Sequence, residues 1–149
     1  MLSDLCRERG SEMATRVGAR SPAQIFALAF GVVYLVVGVI GFAVTGFDNF
    51  AGETYDDKLI VFPVNPLHNV VHILLGAVWI GAAGSHNTAK TVNLVFGVVL
   101  LLVAILGLVG VLTFLAIENA GSADNYLHLA TAALSIYFGT AGSQVGART

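Results

Sequence analysis

Charge is what this chain has least of. Of its 149 residues only 11% are Asp, Glu, Lys or Arg, against about 25% in an ordinary soluble domain. With 56% apolar residues and a mean hydropathy of +0.83, a chain this short cannot hide its apolar surface in a water-soluble core. The class it points to is a polytopic membrane protein. Cysteine is nearly absent: Cys6 stands alone, which excludes an intrachain disulfide, and it reads as a free thiol in a polar tail with no lipidation motif around it. There is no nucleophile–base pair, no glycine-rich phosphate loop, no cysteine cluster and no basic stretch for nucleic acid. Those gaps argue against most enzyme classes and against a nucleic-acid partner.

What is present is a set of apolar runs long enough to cross a bilayer. The expected layout is all-α. It has a polar tail over 1–22, four transmembrane helices at about 23–45, 66–84, 91–114 and 124–142, and a short tail over 143–149. The first run is longer than a signal-peptide core and follows a polar leader, so it reads as a retained helix. Six of the seven Lys and Arg residues (Arg7, Arg9, Arg16, Arg20, Lys90 and Arg148) fall in the tails and the loop Ser85–Lys90, and only Lys58 falls in the other loops. The positive-inside rule then puts both termini in the cytoplasm of a bacterial cell, with the acidic loop Gly46–Val64 outside the plasma membrane. Its apolar piece, Leu59 to Val64, is too short to cross and is expected to lie at the interface or fold back on the bundle. His86, in the cytoplasmic loop, reads as an ordinary exposed residue.

The chain also repeats itself. Leu28 to Phe42 aligns with Leu94 to Leu108 at an offset of 66, with 8 identities in 15 positions. His68-Asn69-Val70-Val71-His72 aligns with Asp124-Asn125-Tyr126-Leu127-His128 at an offset of 56. Two tandem helical hairpins are implied, related by a pseudo-two-fold axis along the membrane normal. Stripes of small residues mark the expected packing seams: Ala27, Gly31 and Gly38 in the first helix, Gly97, Ala104 and Gly107 in the third, and Thr131, Ser135 and Gly139 in the fourth. Tyr34 and Trp79 read as bundle packing.

The polar residues gather at two helix starts. Asn65 followed by Pro66 is an N-cap and first-position pair. At about 100° per residue, Asn65, His68, Asn69 and His72 share one face, which should not be the lipid face. The repeat adds Asp124, Asn125 and His128. Three imidazoles and one carboxylate (His68, His72, His128 and Asp124) are a sensible ligand set for zinc or another divalent metal, with Asn69 and Asn125 as outer hydrogen-bonding partners. A bis-histidine haem on His72 and His128 is a further option. The reading that comes before both is a structural lock of interhelical hydrogen bonds, and a proton or ligand path is the remaining option.

The phrases Val64-Asn65-Pro66-Leu67-His68-Asn69-Val70-Val71-His72 and Ala123-Asp124-Asn125-Tyr126-Leu127-His128, with the four-helix layout, resemble a family of small bacterial membrane proteins, common in actinobacteria and recorded only as a domain of unknown function. The resemblance runs from about residue 23 to 142. It implies the architecture and singles out the same polar residues, and it implies no activity. The functional expectation is a non-enzymatic integral membrane protein, an accessory or self-associating subunit of a membrane complex with other subunits or itself as partner. The alternative is a metal- or haem-binding redox or transport component.

Overall fold

The structure, a computed structural model, describes residues 20–52 and 55–141. Cys6, four of the seven basic residues with Arg148 included, Glu53, and the expected fourth-helix end at Gly142 lie outside the described residues. Within them the fold is four α-helices and one small β-hairpin: α1 (Pro22–Thr45), β1 (Lys58–Leu59), β2 (Phe62–Pro63), α2 (Pro66–Ala82), α3 (His86–Leu108) and α4 (Ala123–Thr140).

Local chemistry sets the helix ends. Ser21 and Gln24 form a capping box at the start of α1: the Ser21 N–H donates to Gln24 Oε1 at 3.0 Å and the Gln24 N–H donates to Ser21 Oγ at 3.4 Å. Asn65 caps α2, its Oδ1 accepting from the His68 N–H at 2.9 Å, with Pro66 next. Ser85 caps α3. That last cap corrects the sequence reading. The third helix begins at His86 and ends at Leu108, instead of spanning about 91–114. Its first turn is polar, so hydropathy alone misses it. Beyond Val109 the chain turns through Gly110, whose φ of 75° suits glycine, and then forms a 3-10 turn at Thr113–Leu115.

The helices alternate in direction, and each end of the bundle has its own ties. At one end Gln24 Nε2 donates to the Ala83 carbonyl (3.0 Å), Asn93 Nδ2 to the Ala23 carbonyl (3.1 Å) and Lys90 Nζ to the Thr140 carbonyl (3.1 Å). His86 belongs to this set: it is half-buried, with Nδ1 2.8 Å from Ser21 Oγ. It is therefore a tie between α3 and the start of α1, and the expectation of a plain exposed residue does not hold. The opposite end carries the starts of α2 and α4.

α1 packs closely on α2 and α3 on α4, along the small-residue seams. The contacts recur between the two pairs. A Cβ on Gly31 would come 2.9 Å from the Ile80 nitrogen and 3.0 Å from the Gly76 carbonyl oxygen; on Gly97 it would come 2.9 Å from the Ile136 nitrogen and 3.1 Å from the Ala132 carbonyl oxygen. Gly97 follows Gly31 by 66 residues, and Ile136 and Ala132 follow Ile80 and Gly76 by 56. Both pairs thus need a bare backbone at matching places.

The core is aromatic in the middle. Trp79 is fully buried, edge-on to Tyr34 and to Phe96 at 5.0 Å each. Its Nε1–H donates to Asn93 Oδ1 at 3.0 Å. Among the described residues α1 and α3 are the two helices long and apolar enough to cross a membrane by length and composition. α2, with 17 residues, is shorter.

Candidate metal centre

The seven polar residues singled out in the sequence (Asn65, His68, Asn69, His72, Asp124, Asn125 and His128) are all buried, and they divide into two groups. The three histidines meet. His68 and His72, one turn apart on α2, have ring centroids 4.7 Å apart. His128, on α4, lies 6.1 Å from His68 and 6.5 Å from His72. One ring nitrogen from each can be chosen so that all three lie within 4.8 Å of one another. Each imidazole also has a buried nitrogen with no hydrogen-bond partner: Nδ1 of His68, Nε2 of His72 and Nδ1 of His128. His68 keeps one tie, to the backbone of Leu115 in the 3-10 turn.

Asp124 lies outside this triad, which revises the four-ligand set expected from the repeat. It sits in the first turn of α4, is buried, and has an Oδ2 without a partner. It lines a cavity of about 100 Å³ together with His68 and His72. A second cavity, about 90 Å³, touches all three histidines from the side of Leu100, Leu115 and Ile117.

The asparagines do something other than support the imidazoles. Asn69 Nδ2 donates to Thr45 Oγ1 at 3.0 Å and Asn125 Nδ2 donates to the Asn119 carbonyl at 2.8 Å. A Cβ on Gly41 would overlap the Asn69 amide, and one on Gly107 would overlap that of Asn125. One residue further along a helix is about 100° further round, so each asparagine turns from the histidine face toward the helix its own helix pairs with. They clamp the helix pairs. Asn65 Nδ2 ties the start of α2 to the Phe114 carbonyl (2.8 Å) and the Gly52 carbonyl (3.2 Å).

Two neighbours were not assigned to the site by sequence. Tyr34 stacks on His72, centroids 4.7 Å apart and planes 25° apart. Its repeat-equivalent is Leu100, and that aromatic-to-aliphatic difference inside an otherwise matching segment was a usable signal. The Lys58–Pro63 hairpin, with Leu59 paired to Phe62, folds back over the cluster and walls the Asp124 cavity. Between the two alternatives left open by sequence, the apolar piece therefore folds back.

Three imidazoles, each with a ring nitrogen that no protein group bonds, gathered in an apolar setting, are borderline-soft nitrogen donors of the kind that suit zinc, cobalt, nickel or copper. Among the described residues the fold is all-α with four helices, two of them of span length, and a buried histidine cluster at one end. The chain belongs to the family described as a domain of unknown function (DUF4383), whose profile matches residues 24–141. That range takes in all four helices bar the first two residues of α1, and all seven polar residues. No curated protein and no solved structure matches the chain.

Proposed function

We propose that this chain is a multi-pass integral membrane protein of the bacterial plasma membrane that holds a divalent transition metal, zinc foremost, on His68, His72 and His128. The observation that carries the metal is a set of three buried imidazoles that can each bring a ring nitrogen within 4.8 Å of the other two, and that each have a nitrogen with no protein partner. Buried polar atoms are nearly always hydrogen-bonded. A lock of interhelical hydrogen bonds would have used these nitrogens, and a bound ion accounts for them. Tetrahedral zinc with bonds of about 2.0–2.1 Å needs its ligand nitrogens about 3.3 Å apart, a modest rotation away. Haem fits less well: the cavities beside the rings, of about 90 and 100 Å³, are far smaller than a macrocycle.

The membrane reading rests on the surface. Large apolar side chains are exposed along every helix, among them Val32, Val36 and Val39 on α1, Leu74 and Val78 on α2, Val95 and Leu102 on α3, and Leu134 on α4. Such a belt suits lipid. At 1.5 Å per residue α2 and α4 are about 26–27 Å long, near the hydrocarbon thickness of about 30 Å. Four spans with both termini cytoplasmic follow from the Lys and Arg distribution, which places the histidines just inside the outer surface. The recurrent glycine contacts support two tandem hairpins related by an approximate two-fold axis along the membrane normal. In this reading the protein is a non-enzymatic component, an accessory or self-associating subunit, whose ion joins the outer ends of α2 and α4.

The test is metal analysis of protein purified without chelator, followed by cobalt titration of the stripped protein. One equivalent per chain is expected, lost in His128→Ala. Absence of any stoichiometric metal, with stripped protein indifferent to cobalt and zinc, would return the cluster to a structural role.

A further inference from the structure

Resting on the metal reading, we propose that the ion keeps one exchangeable coordination position, that this position opens on the cavity under the Lys58–Pro63 hairpin, and that it takes the metal-binding head of an amphiphile with a short apolar tail. Asp124 is the positioning residue that accepts a hydrogen bond from that head.

The first argument is ligand count. Structural zinc sites close with four protein ligands, whereas sites with three keep a place for an outside ligand. Among the described residues the cluster offers three nitrogens and no fourth group at matching distance. Asp124 is near without joining them: it shares a cavity with His68 and His72.

The second argument is Asp124 itself. Its Oδ2 is buried with no partner, an unfavourable state for a carboxyl oxygen unless something donates to it. In the proposal the head of the bound molecule supplies the missing donor.

The third argument is the cavity's lining. His68, His72 and Asp124 share it with apolar side chains that supply most of the wall, among them Val37, Phe62 and Leu127. A small hydrophilic ligand would leave that wall unsatisfied, and a plain hydrocarbon would bring Asp124 no donor. Two of the wall residues reach the surface: Ile60 is 84% exposed at the hairpin tip and Leu127 is 41% exposed on α4. In the proposed orientation both lie at the outer edge of the bilayer, where an amphiphile presents itself with its head towards water.

The experiment uses full-length protein in nanodiscs, loaded with cobalt(II), whose visible spectrum reports coordination number. The probes are acetohydroxamate and octanohydroxamate, which ligate divalent metals through oxygen and carry an N–H for Asp124. Both are expected to change the cobalt spectrum, the longer one binding at least about tenfold more tightly, as added methylenes do in an apolar pocket. Leu127→Trp, which narrows the apolar part of the cavity, should bring the affinity ratio of the two probes down to about one. That comparison also removes simple partitioning of octanohydroxamate into lipid; Leu127→Phe serves if the tryptophan variant does not load. Asp124→Asn should keep cobalt stoichiometry and weaken both probes by about tenfold. A cobalt spectrum blind to both hydroxamates, a chain-length preference that survives both Leu127 variants, or unaltered binding in Asp124→Asn would each overturn the proposal. Protein that takes up no cobalt at all fails earlier and overturns the metal reading instead.

Discussion

Tyr34 lies flat against His72, ring centroids 4.7 Å apart, so the orientation of a histidine on α2 is set by a side chain from α1. Stacking of this kind fixes a ring without using its nitrogens. Tyr34→Leu should therefore weaken cobalt or zinc binding by about tenfold, the size expected when a support behind a ligand is lost. Tyr34→Phe should retain wild-type affinity. Titration of both variants followed by visible absorption decides it, and equal losses would mean that the hydroxyl matters more than the ring face.

Metal removal should loosen the fold. An ion present at 100 times its dissociation constant stabilises the folded state by about 2.7 kcal/mol, and for a chain of this size about 1 kcal/mol moves Tm by roughly 2–4 °C. Stripping with chelator should thus lower Tm in detergent by about 5–10 °C, and zinc should restore it. His68→Ala, His72→Ala and His128→Ala should each abolish the zinc-dependent part. A zinc-independent Tm in the wild type would contradict the centre.

The clamps at Asn69 and Asn125 predict a particular non-additivity. Gly41→Ala and Gly107→Ala each drive a methyl into an asparagine amide, and overpacking of that sort costs about 1–3 kcal/mol. Adding Asn69→Ala to Gly41→Ala should recover much of the loss, leaving a deficit near the ~0.6 kcal/mol typical of an interhelical hydrogen bond in a membrane. Thermal unfolding of the four proteins gives the coupling directly. Strict additivity would refute the clamp.

Topology can be read with cysteines. In a Cys6→Ser background, Ile60→Cys sits at an exposed hairpin tip and Asn87→Cys at an exposed site on the first turn of α3. A membrane-impermeant maleimide added to intact cells should label the first and spare the second. The reverse pattern would put the histidines near the cytoplasm.

The parts of this protein that could be read from sequence are those set by neighbours in the chain. Asn65-Pro66 starts α2 as expected because capping is local chemistry, and the small residues on α1, α3 and α4 line seams because a helix keeps its period. The start of α3 went unread because His86-Asn87-Thr88 looks like loop to any measure of hydropathy, although Ser85 caps it. The roles of Asn69 and Asn125 were misplaced by one step round the helix, a difference in direction that spacing does not reveal. Asp124 stays out of the histidine group although His128, one turn later on the same helix, joins it, again a matter of direction that spacing does not reveal. The hairpin, too, was hidden, because Ile60 at its tip has a φ of 64°, a place where glycine or asparagine would have announced a turn.

Trp79 is the chain's single tryptophan. It is fully shielded, it meets Tyr34 at 5.0 Å, and Tyr34 in turn rests on His72. All indole emission from this chain therefore arises from one buried fluorophore, with the Tyr34 ring between it and His72. An open-shell ion such as copper(II) or cobalt(II) arriving at His72 should dim that light, while closed-shell zinc, arriving at the same place, should leave it bright and block the dimming. Should the histidines hold an ion as proposed, this one indole would gauge their occupancy in a bilayer without any label.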